Sequence, residues 1–145
     1  MRLSPYFDLE EFTVSQTAAR LGLDNTPPLD VVVNLRRTAQ WLDGVRVILG
    51  EPIIISSGYR SPAVNKAVGG SKSSQHMTGQ AVDFTAPRFG TPRQVIDRIM
   101  GAGMDYDQLI LEFPPNGWVH ASVVAADSRR QALQIDRDGT RSLQA

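Results

Sequence analysis

The 145-residue chain is 41% hydrophobic, 21% charged and 7% aromatic, an ordinary composition for one globular domain. Fifteen Lys and Arg balance fifteen Asp and Glu, so no cationic excess marks a nucleic-acid or membrane-surface binder. No apolar run approaches the roughly 20 residues that cross a bilayer, and the absence of cysteine excludes disulfides, thiolate metal sites and cysteine nucleophiles.

In chain order, Asp8-Leu9-Glu10-Glu11 reads as a cap with an acid three residues on, and predicts a helix through about Arg20. Residues 21–28, with Gly22, Pro27 and Pro28, read as a loop. Val32, Leu35, Ala39, Leu42, Val45 and Leu49 recur at helical spacing and predict an amphipathic helix over Leu29–Leu49, stopped by Gly50 and Pro52. Gly44 inside it is a modest cost or a small break. The β-branched run Pro52–Ser57 predicts a buried strand, followed by a turn over Gly58–Pro62 and a short helix to Val68. Residues 69–75 are polar and loop-like, with Gly69-Gly70 as punctuation, and Gln80–Thr85 alternates as a strand does. Thr91-Pro92 opens a helix that runs to Gly101–Gly103. Gln108–Phe113 and Trp118–Val124 read as strands joined by a hairpin loop over Pro114–Gly117. The polar residues 126–145 read as a peripheral ribbon or a fraying tail. The whole predicts a single α+β domain, residues 1–145, with N-terminal helices packed on a small, mainly antiparallel sheet.

The two histidines are the scarcest chemical resource. His76 ends a polar loop, and Asp83 follows seven residues later in a predicted strand, so a turn at Gly79 brings the carboxylate back to the imidazole. His120 lies in another strand of the same predicted sheet. Two imidazoles and one carboxylate make a three-ligand set, which leaves the fourth position of a tetrahedral zinc open, as in catalytic sites. Arg60, at a strand end, is placed to hold a carboxylate or polarise a carbonyl. With both histidines committed, a catalytic base must be a carboxylate, and Glu112 leads. One hairpin register sets Glu112 opposite His120 on the same face, and another, slipped by one, sets it diagonal. Asp107 ranks below it, and Asp105 reads as a turn or cap group. Ser74 is a candidate for orienting substrate or for capping its loop, while Tyr59 and Trp118 read first as packing residues.

The pattern of Ser74, His76, Gly79, Ala81 and Asp83, followed by Trp118 and His120, resembles the zinc D-alanyl-D-alanine carboxypeptidase family of metallopeptidases. Ser56–Pro62, Asn65, Asn34-Leu35 and Asp107–Ile110 resemble its carboxypeptidase branch, and the likeness covers about residues 4–125. The resemblance implies one zinc ion per chain on His76, Asp83 and His120, a substrate-anchoring Arg60, and a peptidoglycan stem peptide as substrate. Many relatives place the base three residues before the last ligand, where this chain has Gly117; others use a further histidine, which this chain lacks. The expectation is therefore a zinc peptidase with Glu112 as base, acting on D-alanyl-D-alanine ends or on internal peptide bonds. A non-catalytic zinc-containing cell-wall-binding or phage structural module is the alternative. Met1–Asp8 lacks the apolar core of a secretory leader. The expected course is synthesis in the cytoplasm and action on the cell wall after lysis, particle-borne delivery or non-classical export, as in an endolysin of phage or prophage origin. A monomer without nucleic-acid or membrane partners is expected.

Overall fold

A computed structural model describes residues 1–143; the last two residues of the expected tail, Gln144 and Ala145, lie outside the described residues. The first predicted helix is two: α1 (Leu9–Thr13) and α2 (Gln16–Leu21). Val14 is extended, and the Ser15 hydroxyl accepts the Ala18 N–H at 3.1 Å, so Ser15 starts a new helix rather than sitting inside an old one. Serine satisfies a free helix-end donor better than it serves a helix interior.

α3 (Leu29–Leu49) has the predicted bounds and ends on Gly50, whose φ of 68° is the left-handed cap that glycine adopts without strain. Gly44 does not break it. A Cβ there would stand 3.1 Å from the Met104 terminal methyl, so the glycine lets the chain after α5 lie against α3. The remaining elements are β1 (Ile54–Ser57), α4 (Pro62–Ala67), a 3-10 helix (Gln75–Thr78), β2 (Ala81–Thr85), α5 (Pro92–Gly101), β3 (Gln108–Glu112), β4 (Trp118–Ser122), β5 (Gln131–Asp136) and β6 (Gly139–Ser142).

The six strands form one sheet in the order β1-β2-β4-β3-β5-β6, antiparallel except for the parallel pair β3–β5. Strand side chains alternate between faces. Val82, Phe84, Leu109, Leu111, Val119 and Ala121 are buried in the core that also holds Leu35 and Leu42 of α3 and Val95, Ile96 and Ile99 of α5. Asp83, Ile110, Glu112, Trp118 and His120 occupy the alternate positions and line a cleft of about 1060 Å³. α3 and α5 thus cover one face of the sheet, and chemistry-bearing residues occupy the other, where α2, α4 and the 3-10 helix help to wall the cleft.

The C-terminal segment is a ribbon rather than a fraying tail. β5 pairs with β3 along five residues, Ala132 packs against the core, and Leu143 is buried in it. Among the described residues no helix is long and apolar enough to cross a membrane.

Candidate active site

The site forms where the 3-10 helix meets β2. Asp83 and His120 are direct partners across the antiparallel β2–β4 pair, which sets their side chains side by side on the cleft face. His76 reaches the same point from the 3-10 helix, which α3 holds from behind. Thr38 of α3 donates to the Gly79 carbonyl at 2.7 Å, and Asn34 donates to the Thr78 carbonyl at 2.9 Å.

His76 Nε2 lies 3.4 Å from Asp83 Oδ1, and His120 Nδ1 lies 2.8 Å from the same oxygen. The two imidazole rings stand edge to face with centroids 5.2 Å apart. Neighbouring ligands of a tetrahedral zinc, with bonds of about 2.1 Å, lie roughly 3–3.5 Å apart, so the Asp83 oxygen already stands near ligand spacing from both imidazoles. The tautomer of His76 also fits. Its Nδ1–H donates to the Gly58 carbonyl at 2.7 Å, which leaves the Nε2 lone pair turned to the site. Burial opposes ionisation of Asp83, but hydrogen bonds and charge from His120 and His76 outweigh it and hold the carboxyl well below the usual carboxylate range. Two neutral imidazole nitrogens and one anionic carboxylate oxygen form a donor set that can hold a divalent metal ion.

Glu112 is not opposite His120. The register pairs Glu112 with Trp118 and Ile110 with His120, which puts Glu112 on the same face but diagonal to the ligand. The connection Phe113–Gly117 sets this register, with Phe113 in the left-handed region at φ 52°. Burial raises the Glu112 pKa, Asp83's charge raises it further, and His120 and Arg60 pull it back only in part. A Cβ on Gly117 would overlap the Glu112 carbonyl oxygen and lie 2.7 Å from that of Phe113. The hairpin therefore excludes any side chain at the position where relatives carry a glutamate.

Arg60 also faces the cleft. Its backbone N–H donates to the His76 carbonyl at 3.1 Å, and its Nε is buried without a hydrogen-bond partner among the described residues. Burial lowers its pKa, while the charges of Asp83 and Glu112 favour the cation. Gly70 makes room for it, since a Cβ there would lie 2.9 Å from Arg60 Nη1 and overlap Asn65 Oδ1. Ser74 caps the 3-10 helix by accepting the His76 N–H at 3.2 Å, and it lines the cleft as well. Tyr59 and Trp118 both line it while Tyr59 is 4% exposed, so packing and lining are combined in one residue.

Asp107 is not free to act as a base, because it is clamped by Arg129 and Gln75. Asp105 is neither turn nor helix cap; it receives Arg130 and Ser128. Sequence reasoning passed over Gly58, Gln75 and Arg129. Of these only Gly58 carried a local signal, as a glycine at a strand end beside the arginine motif.

Catalytic metal ions are held by three protein ligands with a fourth position to spare, and His76, Asp83 and His120 offer such a set on this α+β scaffold. The Peptidase M15 family model matches residues 5–122, and the chain belongs to that family of metallopeptidases. No curated protein matches it.

Proposed function

We propose that the protein is a zinc-dependent peptidase that hydrolyses amide bonds in peptidoglycan stem peptides. The observation that carries this reading is the convergence of His76 Nε2, Asp83 Oδ1 and His120 Nδ1 in one cleft with Glu112 and Arg60. His76, Asp83 and His120 would hold one zinc ion per chain. When bound, the ion supplies Lewis-acid polarisation of the scissile carbonyl and acidifies water.

Glu112 is the general base. Burial and the charge of Asp83 raise its pKa, which makes it a stronger base than an exposed carboxylate; it takes a proton from the attacking water and returns it to the leaving amine nitrogen. The C–N bond breaks, water oxygen joins the carbonyl carbon, and an acid and an amine leave. Arg60, whose buried Nε meets no partner among the described residues, anchors the anionic end or a carbonyl of the substrate. Ser74 retains a hydroxyl proton that can be donated to the peptide.

Incubation with purified peptidoglycan, with zinc and separately with a chelator, followed by mass spectrometry of released fragments, tests the reading. Chelator-sensitive release of D-alanine identifies a carboxypeptidase, and release of larger peptides an endopeptidase. No release from a protein carrying one zinc per chain overturns it in favour of a cell-wall-binding module.

A further inference from the structure

Past Ser122 the chain leaves the family-matched segment, yet it returns to the cleft. The connector between β4 and β5 brings Arg129 to the cleft wall, and its backbone is held there against preference. Asp127 and Arg130 have φ of 59° and 53°, a conformation disfavoured for residues with a Cβ. Arg130 Nε meets Asp105 Oδ1 at 2.9 Å and Ser128 Oγ meets Asp105 Oδ2 at 3.0 Å, which pins the connector on both sides of Arg129.

The guanidinium is fixed in turn. Asp107, whose side chain is 5% exposed, accepts Arg129 Nε on Oδ1 at 3.0 Å and Nη2 on Oδ2 at 2.7 Å. It also accepts the Arg129 backbone N–H at 2.9 Å. Gln75, the residue before His76, closes the ring by donating to Asp107 Oδ2 at 2.9 Å and accepting Arg129 Nη2 at 3.2 Å. Nε and Nη2 are thereby used. Nη1 meets no acceptor among the described residues, on a side chain that is 52% exposed in the cleft wall.

The two cleft arginines differ in charge balance. Among the described residues Arg60 has no bound carboxylate, whereas Arg129 is neutralised by Asp107, whose negative charge would repel a second carboxylate. A neutral carbonyl is the better partner for Arg129. Arg60 follows β1 and Arg129 precedes β5, with Asp83 and His120 on β2 and β4 between them in the sheet. A peptide held by its carboxylate at Arg60 would cross the triad and reach Arg129 with an interior amide.

We propose that Arg129 is a substrate-binding residue, its Nη1–H donating to a backbone carbonyl of the peptide while Asp107 and Gln75 keep the fork rigid. This rests on the peptide-hydrolysis reading above. The test uses Arg129→Lys, which keeps a cation against Asp107 but loses Nη1 together with the fork on Asp107 and Gln75, alongside Arg129→Ala. The probes are an N-acetylated tripeptide ending in D-Ala-D-Ala and the same peptide with a carboxamide end. Binding to chelator-treated protein is measured by calorimetry, and kcat and KM on the zinc-loaded protein.

For Arg129→Lys, the dissociation constant and KM should rise about three- to tenfold for both peptides, as for one lost hydrogen bond. Its kcat and zinc content should stay at wild-type values, while its unfolding temperature falls as lysine gives up the two-point contact with Asp107. The carboxamide peptide should bind the wild type more weakly, through Arg60, yet lose the same further factor. Wild-type binding by Arg129→Lys overturns the proposal. So does a loss of binding that tracks a loss of zinc or of folded protein. Wild-type binding of the peptides without cleavage overturns the hydrolysis reading alone, and failure to bind either peptide overturns both.

Discussion

The carbonyl oxygen of Gly58 and Nδ1 of His76 are 2.7 Å apart, so the end of β1 dictates which nitrogen of the imidazole is available to a metal. Gly58 is itself fixed by close approach, because a Cβ there would lie 2.5 Å from the Phe12 carbonyl oxygen and 2.7 Å from Phe12 Cα. Gly58→Ala must push the strand end away from α1 and turn the carbonyl off the imidazole. Metal affinity should fall by about 10- to 100-fold, the usual effect of losing an outer partner of a histidine ligand. Competition with a chromogenic chelator measures it; unchanged affinity would show that the ring is held by other means.

His120→Ala and Glu112→Gln should separate binding from chemistry. The first removes a ligand atom and should abolish both metal retention and activity. The second keeps size and polarity on a residue outside the triad, so metal content stays while kcat falls by at least about 100-fold, the low end of general acid–base catalysis. An active Glu112→Gln enzyme would sink the assignment of the base.

Gly117 offers a complementary test. Because the Glu112 carbonyl occupies the space of its Cβ, Gly117→Ala should lower stability by about 1–3 kcal/mol in urea unfolding, the range for overpacked sites. Adding Gly117→Glu to Glu112→Gln should restore no activity. Recovery would mean that this hairpin accommodates the base where relatives carry it.

Asp107 gives the pH dependence. Hydrogen bonds from Arg129 hold its carboxyl well below the usual range against the opposing effect of burial. In the unfolded chain it titrates near 3.9, so between these values the unfolded state binds a proton that the native state does not. The stabilisation is complete above pH of about 5 and is lost as the pH falls through and below about 4. Asp107→Asn should cost about 1–3 kcal/mol at pH 7, with the gap to wild type narrowing toward pH 3. Urea unfolding at pH 7, 5 and 3 measures this, and a gap constant with pH would exclude the carboxylate charge as its source.

How far the sequence reached depends on whether a signal is local. The bounds of α3 were readable because apolar periodicity and a glycine stop agree on them. The metal triad was readable because only two histidines exist and one shares a short motif with Asp83. The break at Ser15 was missed because serine competes as a cap inside an otherwise helical stretch. The position of Glu112 was open because register depends on loop conformation, and Phe113 takes a left-handed φ that no composition rule demands of phenylalanine. Arg129, Asp107 and Gln75 meet from three distant segments, and single charged or amide residues in loops announce no partner.

The parallel pairing of β5 with β3 has a consequence for how the molecule is made. Without β5, the strand that carries Glu112 would be a sheet edge, with unpaired backbone groups open to other chains. The Phe113 N–H would lose the Ile135 carbonyl that it binds at 2.8 Å. Ribosomes deliver β5 last but one among the strands, after every metal-ligand candidate has been synthesised. Pairing of β5 with β3 is therefore the step that fixes the cleft wall bearing Glu112. A chain stopped at Ser122 would contain the whole family-matched segment and still leave the backbone groups of β3 unpaired along one edge.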